Sequence, residues 1–157
     1  MKEYPWGKGT PKWVRDATLN DSDKSFTVPA GKVWVLLDIQ AQLTTTATVG
    51  NRLLTCVVTD GTNIVHPFER SQPLAASKTG GLNIFAGNTL NTAATDTTYR
   101  RVKLSDAAAV CDQSVSESIP YPFVIAAGYV VRIFDAAAVD AAADDLTVVL
   151  HYVEYDV

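Results

Sequence analysis

Charge is scarce in this chain: of 157 residues only 19% are Asp, Glu, Lys or Arg, against 47% that are hydrophobic. A sequence so poor in charge is not a self-repelling disordered tail, and its length supports one globular core. Thr, Ala and Asn are left to cover much of the surface. Positive charge is the scarcer sign, with 13 Lys and Arg against 17 Asp and Glu, a formal charge of -4. Nucleic-acid binding would need Lys and Arg clustered at phosphates, so no nucleic-acid partner is expected. Long apolar runs are also missing, which leaves no segment to span a membrane. The opening "KEYPWGKGTPK" is too polar for a secretory signal, so synthesis in a cytoplasm is expected.

Cysteine and histidine occur twice each. Two cysteines make no disulfide framework; Cys56 lies in an apolar run and Cys111 in "AVCDQS", and both read as idle thiols. His66 and His151 are far apart, without the closely spaced histidine ligands of a cupin-type metal enzyme. The carboxylates Asp21 and Asp23, and the group Asp140, Asp144 and Asp145, offer oxygen ligands but match no complete calcium loop, and solvated loop charge is the plainer reading. No G-x-S-x-G, H-E-x-x-H, C-x-x-C or phosphate-cradling glycine loop occurs. No enzymatic activity, cofactor or metal is therefore expected.

What the chain does have is period-two alternation punctuated by turns. From Val33 the odd positions Val35, Leu37, Ile39, Ala41 and Leu43 are apolar, while Asp38, Gln40 and Gln42 alternate against them. Trp34 and Leu36 break this phase, so that end of the strand is expected to be covered on both faces. "RLLTCVVTD" follows a Gly50-Asn51 turn and pairs as the next strand, and "DGTN" turns into a short "IVHPF" that Pro67 bends or confines to an edge. "LNIFAG", "TTYRRVKL", "IPYPFVIAAGYVVRIFD" and "LTVVLHYVEYDV" supply the remaining strands. The Ala-rich connector "AAAVDAAADD" reads as a loop, in which the helix propensity of Ala supports at most a turn or two that would be marginal without packing. About eight strands and no long helix predict an all-β fold, an antiparallel sandwich or jelly roll over residues 24–157, with an immunoglobulin-like sandwich as the alternative.

Residues 1–23 fit neither period and read as an extended arm. Tyr4, Trp6 and Trp13 lie there among Lys2, Lys8, Lys12 and Arg15. Exposed rings on a β sandwich suit either stacking on sugars or packing on protein, and the mixture with Lys and Arg favours protein. Trp34, and Asn51 with the turn-borne Arg52, are further candidate contact residues, Arg52 being able to reach a neighbouring carboxylate.

The stretch "VPAGKVWVLLDIQAQLTTTATVGNRLLTCVVTDGTN", followed by "IPYPFVIAAGYVVRIFD" and "DDLTVVLHYVEYDV", resembles jelly-roll cement or decoration proteins of tailed-bacteriophage capsids, over roughly residues 25 to 157. The same pattern is similar to jelly-roll modules of phage fibres and collars. The resemblance implies a non-enzymatic virion protein on the outer capsid surface. Such a protein binds the major capsid protein and assembles with itself, as a homotrimer rather than a dimer. The contact residues expected to carry this are Tyr4, Trp6, Lys8, Trp13, Arg15, Trp34, Asn51 and Arg52; a fibre, collar or carbohydrate-binding module is the alternative.

Overall fold

In the computed structural model, residues 7–70, 73–85, 99–100, 114–115 and 123–157 are described. The strands among them are β1 (Thr10–Asp16), β2 (Asp23–Thr27), β3 (Lys32–Thr44), β4 (Leu54–Thr59), β5 (Ile64–Arg70), β6 (Thr79–Phe85), β7 (Tyr99–Arg100), β8 (Ser114–Val115), β9 (Phe123–Ile125), β10 (Val130–Asp135) and β11 (Asp145–Asp156). They form two antiparallel sheets. The larger runs β1-β11-β3-β6-β7-β8, with β9 also paired to β3, and the smaller runs β2-β10-β4-β5.

The pairings explain the architecture. Setting aside the short strands β7, β8 and β9, the other eight pair first with last and inward: β1 with β11, β2 with β10, β3 with β6, and β4 with β5. That is one long antiparallel ribbon. Folding it across itself, by β11 on β3 and β10 on β4, closes two four-stranded layers, which is a jelly roll. The core lies between the layers: Leu36, Ile39, Leu43, Leu82, Ile84, Leu146 and Leu150 from the larger sheet meet Phe26, Cys56, Val58, Phe68, Val131 and Ile133 from the smaller. Burial pushes the Cys56 thiol pKa up, so it stays protonated and inert. Cys111 lies outside the described residues.

The broken phase of β3 has a specific cause. Asp38 pairs with His151 but the next residue of β11, Tyr152, pairs with Leu36. Leu37 is thus the extra residue of a β-bulge, and the two halves of the strand present opposite parities to the core. Ile39, Ala41 and Leu43 face inward beyond the bulge, and Leu36 and Trp34 before it. The outward Val33 and Val35 are nonetheless buried, as expected of an end covered on both sides. Tyr155, opposite Val33, is buried too, and its ring lies where a Cβ on Gly9 would be. The absence of a side chain at Gly9 admits that ring.

Two expectations need correction. "RLLTCVVTD", expected to pair with the strand before it, crosses instead to the smaller sheet as β4 and pairs with β10 and β5. The leading segment is extended, as expected, but from Thr10 on it is part of the domain, an edge strand in register with β11, Thr10 opposite Glu154 and Asp16 opposite Val148. Pro11 is compatible with that place because an edge strand needs hydrogen bonds on one side only. The Ala-rich connector is the expected loop, a series of turns, and forms no helix. Ala138 and Asp140 have φ of 51° and 54°, in the left-handed region, and the Asp135 carboxylate accepts the N–H groups of Ala137 and Val139 that a helix would have used.

Four connections cross between sheets at one end: β1 to β2, β3 to β4, β5 to β6 and β10 to β11. Arg52 closes that end. Its side chain is fully buried with Asp144, Nε donating to Oδ2 at 2.7 Å and Nη2 to Oδ1 at 3.1 Å. Nη1 donates to the carbonyls of Thr48 and Gly50, and Nη2 also to Thr46 Oγ1. All five guanidinium donors are used. The turn that wraps it needs Gly50, whose φ is 143° and whose Cβ, if present, would press on Val139. Asp135 Oδ1 adds a bond from Leu53 N at 2.7 Å, and Arg52 bridges to Leu74 of the β5 to β6 connection.

Removing one partner of a buried, fully hydrogen-bonded pair leaves an uncompensated charge, at a cost of about 3–5 kcal/mol. Arg52→Ala is therefore expected to lower the melting temperature by roughly 6–20 °C for a domain of this size. Arg52→Lys should recover little, having three donors for five acceptor positions. Thermal and urea unfolding followed by circular dichroism measure both; an Arg52→Ala protein within 1 °C of the parent would contradict this role.

Candidate contact surface

The predicted contact residues separate into three groups. Tyr4 and Trp6 lie outside the described residues. Trp34 and Arg52 are buried in the protomer and present no surface. For Arg52 the reason is the pair with Asp144. For Trp34 it is a stack on Tyr152, ring centroids 4.0 Å apart, with Nε1 donating to Glu154 Oε2 at 3.0 Å. Lys8, Trp13, Arg15 and Asn51 are exposed, Asn51 at the crossover end and the other three on or beside β1.

Register places the β1 residues. Pro11, Trp13 and Arg15 stand opposite Val153, His151 and Val149, on the outward face of the larger sheet. Trp13 is 67% exposed, the two valines are half-buried, and Val124 on β9 is 39% exposed. The row is a strip of apolar surface with an indole and a guanidinium at its edge. Beside it His151 Nδ1 lies 2.7 Å from Asp38 Oδ1, which orients the imidazole.

The other face of β1 anchors it. Lys12 Nζ donates to Glu154 Oε1 at 2.6 Å while Trp34 holds Oε2, so one carboxylate ties β1, β11 and β3. Lys32 bonds Asp156 alongside. The Lys12 ammonium, with help from the Trp34 indole, holds the Glu154 carboxyl below its ordinary value. At the far end of β1, Lys24 has a fully buried side chain whose Nζ meets Thr18 O and Asp21 Oδ2 at 3.0 Å and Asp16 Oδ1 at 3.2 Å. The backbone N–H of Thr18 draws the Asp16 carboxyl downward.

The other sequence candidates are occupied by their own chain. Asp21 accepts from Lys24 and from Asp23 N, and Asp23 pairs with Arg132. Asp140 accepts the hydroxyls of Thr46 and Thr48, which lower its pKa, and Asp145 accepts Asn20 N. Asp144 is buried, not the solvated loop charge expected of it. His66 packs in an aromatic cluster with Phe68 and Phe123, each centroid 4.8 Å away, across the gap between β5 and β9. Among the described residues no three His, Cys, Asp or Glu are grouped to hold a metal ion.

No family model, curated protein or solved structure matches the chain.

Glu154, Asp16 and Asp140 have folded pKa values below their ordinary ones of 4.5 and 3.8. As pH falls, the unfolded chain takes up these protons first. The stability they contribute is thus complete above about pH 5 and is lost below, as pH passes down through the folded values. Urea midpoints should fall on going from pH 5.5 to pH 3, and less steeply in Glu154→Gln, which starts from a lower stability. Equal midpoints at both pH values would refute the assignment.

Proposed function

We propose that this chain is a non-enzymatic structural protein of a tailed-phage virion, a decoration protein that binds the major capsid protein on the outer shell. Support comes from the resemblance over residues 25 to 157 and from the jelly-roll topology. The observation that carries the reading is the Trp13 and Arg15 strip on an edge strand. Aromatic residues and Arg are the types enriched where proteins meet, and an indole two-thirds in water gains most when a partner covers it.

A strip of this kind supplies only part of the about 800 Å² that each partner of a stable complex buries. Self-assembly, as a homotrimer, offsets the shortfall. With one protomer bound, the others face their sites at high effective concentration, and avidity rises by about 10²- to 10⁴-fold.

Trp13→Ala is expected to leave the melting temperature within about 2 °C of the parent, since little burial is lost, and to abolish attachment to capsids. The test is imaging of purified particles of the phage that carries the gene, with the parent or the variant supplied. Absence of the parent chain from the particle would overturn the virion reading. Attachment unchanged in Trp13→Ala would remove the strip from it.

A further inference from the structure

The outward face of the smaller sheet, on the opposite side of the sandwich from Trp13, carries a cleft of about 510 Å³. That lies within the range of about 300–1,000 Å³ usual for small-molecule sites. Its floor is Val57, buried at 2% exposure, and one wall is the β4 to β5 turn with Thr62 and Ile64. Ser25 and Thr27 contribute hydroxyls from β2, and Thr59 one from β4.

Arg132 is the organised element. Its guanidinium lies over the Phe134 ring, 4.3 Å from the centroid, and its Nε and Nη2 are engaged by Asp23. Among the described residues Nη1 has no protein partner, nor do the hydroxyls of Ser25, Thr27 and Thr62. A planar group clamped in this way loses little entropy when it binds.

The lining selects a ligand class. Its one cation is already neutralised by Asp23, so a phosphate or nucleotide finds no net positive charge. An apolar ligand would bury hydroxyls without partners. A molecule that alternates hydroxyl groups with aliphatic C–H faces satisfies both the hydroxyls and the Val57, Val130 and Ile64 surface. We propose that this cleft binds a short neutral oligosaccharide, with Arg132 Nη1 donating to a sugar oxygen and Ser25, Thr27 and Thr62 bonding the ring hydroxyls.

The proposal is independent of the decoration reading, because binding is measured on the isolated chain without capsids. The full chain is screened on a printed glycan array spanning bacterial, plant and animal glycans, and the strongest neutral hit is titrated into ¹⁵N-labelled protein. Saturable shifts are expected at the amides of residues 25–27, 59–64 and 130–134. Arg132→Met should weaken the affinity about tenfold, the loss of one charge-assisted hydrogen bond. Because Arg132→Met also frees Asp23, the Ser25→Ala and Thr27→Val pair, both at exposed positions, tests the cleft without touching that ion pair and should weaken binding as well. An array without a neutral-glycan hit, shifts centred on Trp13, or an affinity unchanged in the Ser25 and Thr27 variant would each overturn the proposal.

Discussion

The buried guanidinium of Arg52 is the constraint on which the crossover end of this sandwich depends. Crossing from one sheet to the other forces backbone out of the ladders, and four crossings at the same end leave many N–H and C=O groups without strand partners. Burying such groups unpaired is costly. A hydrophobic side chain would fill the volume at residue 52 but satisfy none of them. Arg52 donates to two carbonyls of its own turn and to a carboxylate 92 residues away. Asp144 in turn accepts Thr46 N at 2.7 Å. Ion pairs of this sort add little net stability compared with apolar packing, and breaking one by removing a partner is costly. Here the pair ties the β3 to β4 connection to the β10 to β11 connection, beside the two strand pairs that fold the ribbon closed.

Lys24 performs the corresponding task for the β1 to β2 connection. Its ammonium collects one carbonyl and two carboxylates from residues 16 to 21, which turns the chain from the edge of the larger sheet into the smaller one. In the polar clusters around Arg52 and Lys24 a charged side chain is buried beside backbone that has left the ladders, and it supplies the hydrogen bonds that the ladder no longer does. It follows that the acidic loop residues, which sequence alone offers as metal ligands or solvated charge, are mostly committed to the chain's own cations and hydroxyls.

How much of this was readable follows from the range of the interactions. Alternation from Ile39 to Leu43 and the turns at Gly50, Asp60 and Gly128 are local, and they marked the strands and the all-β class. The bulge at Leu37 was visible only as its symptom, since a one-residue slip leaves the same pattern as a strand apolar on both faces. β1 was not readable, because Pro11 and Trp13 carry no period and the strand exists by pairing with β11 some 140 positions on. Arg52 follows a turn and Asp144 lies in an acidic loop, and each is a local signal by itself. Nothing local joins them. Trp34 likewise looked available for a partner because Tyr152 and Glu154, which bury it, lie over 115 residues away.

The outward faces of the two sheets differ in chemistry, and that difference bears on function more than the fold does. The larger sheet turns valines, Trp13 and the Asp38–His151 pair outward, with the leading segment already lying on part of that face at Gly9. A face that is apolar and partly covered gains by further covering. The smaller sheet turns Ser, Thr and the clamped Arg132 outward, groups that water satisfies as well as any protein would. Covering that face with protein would require a hydrogen-bond partner for each hydroxyl, whereas water already satisfies those hydroxyls. A molecule attached through the first face therefore keeps the second exposed, and any ligand the second face takes must compete with water by matching its hydroxyls one by one.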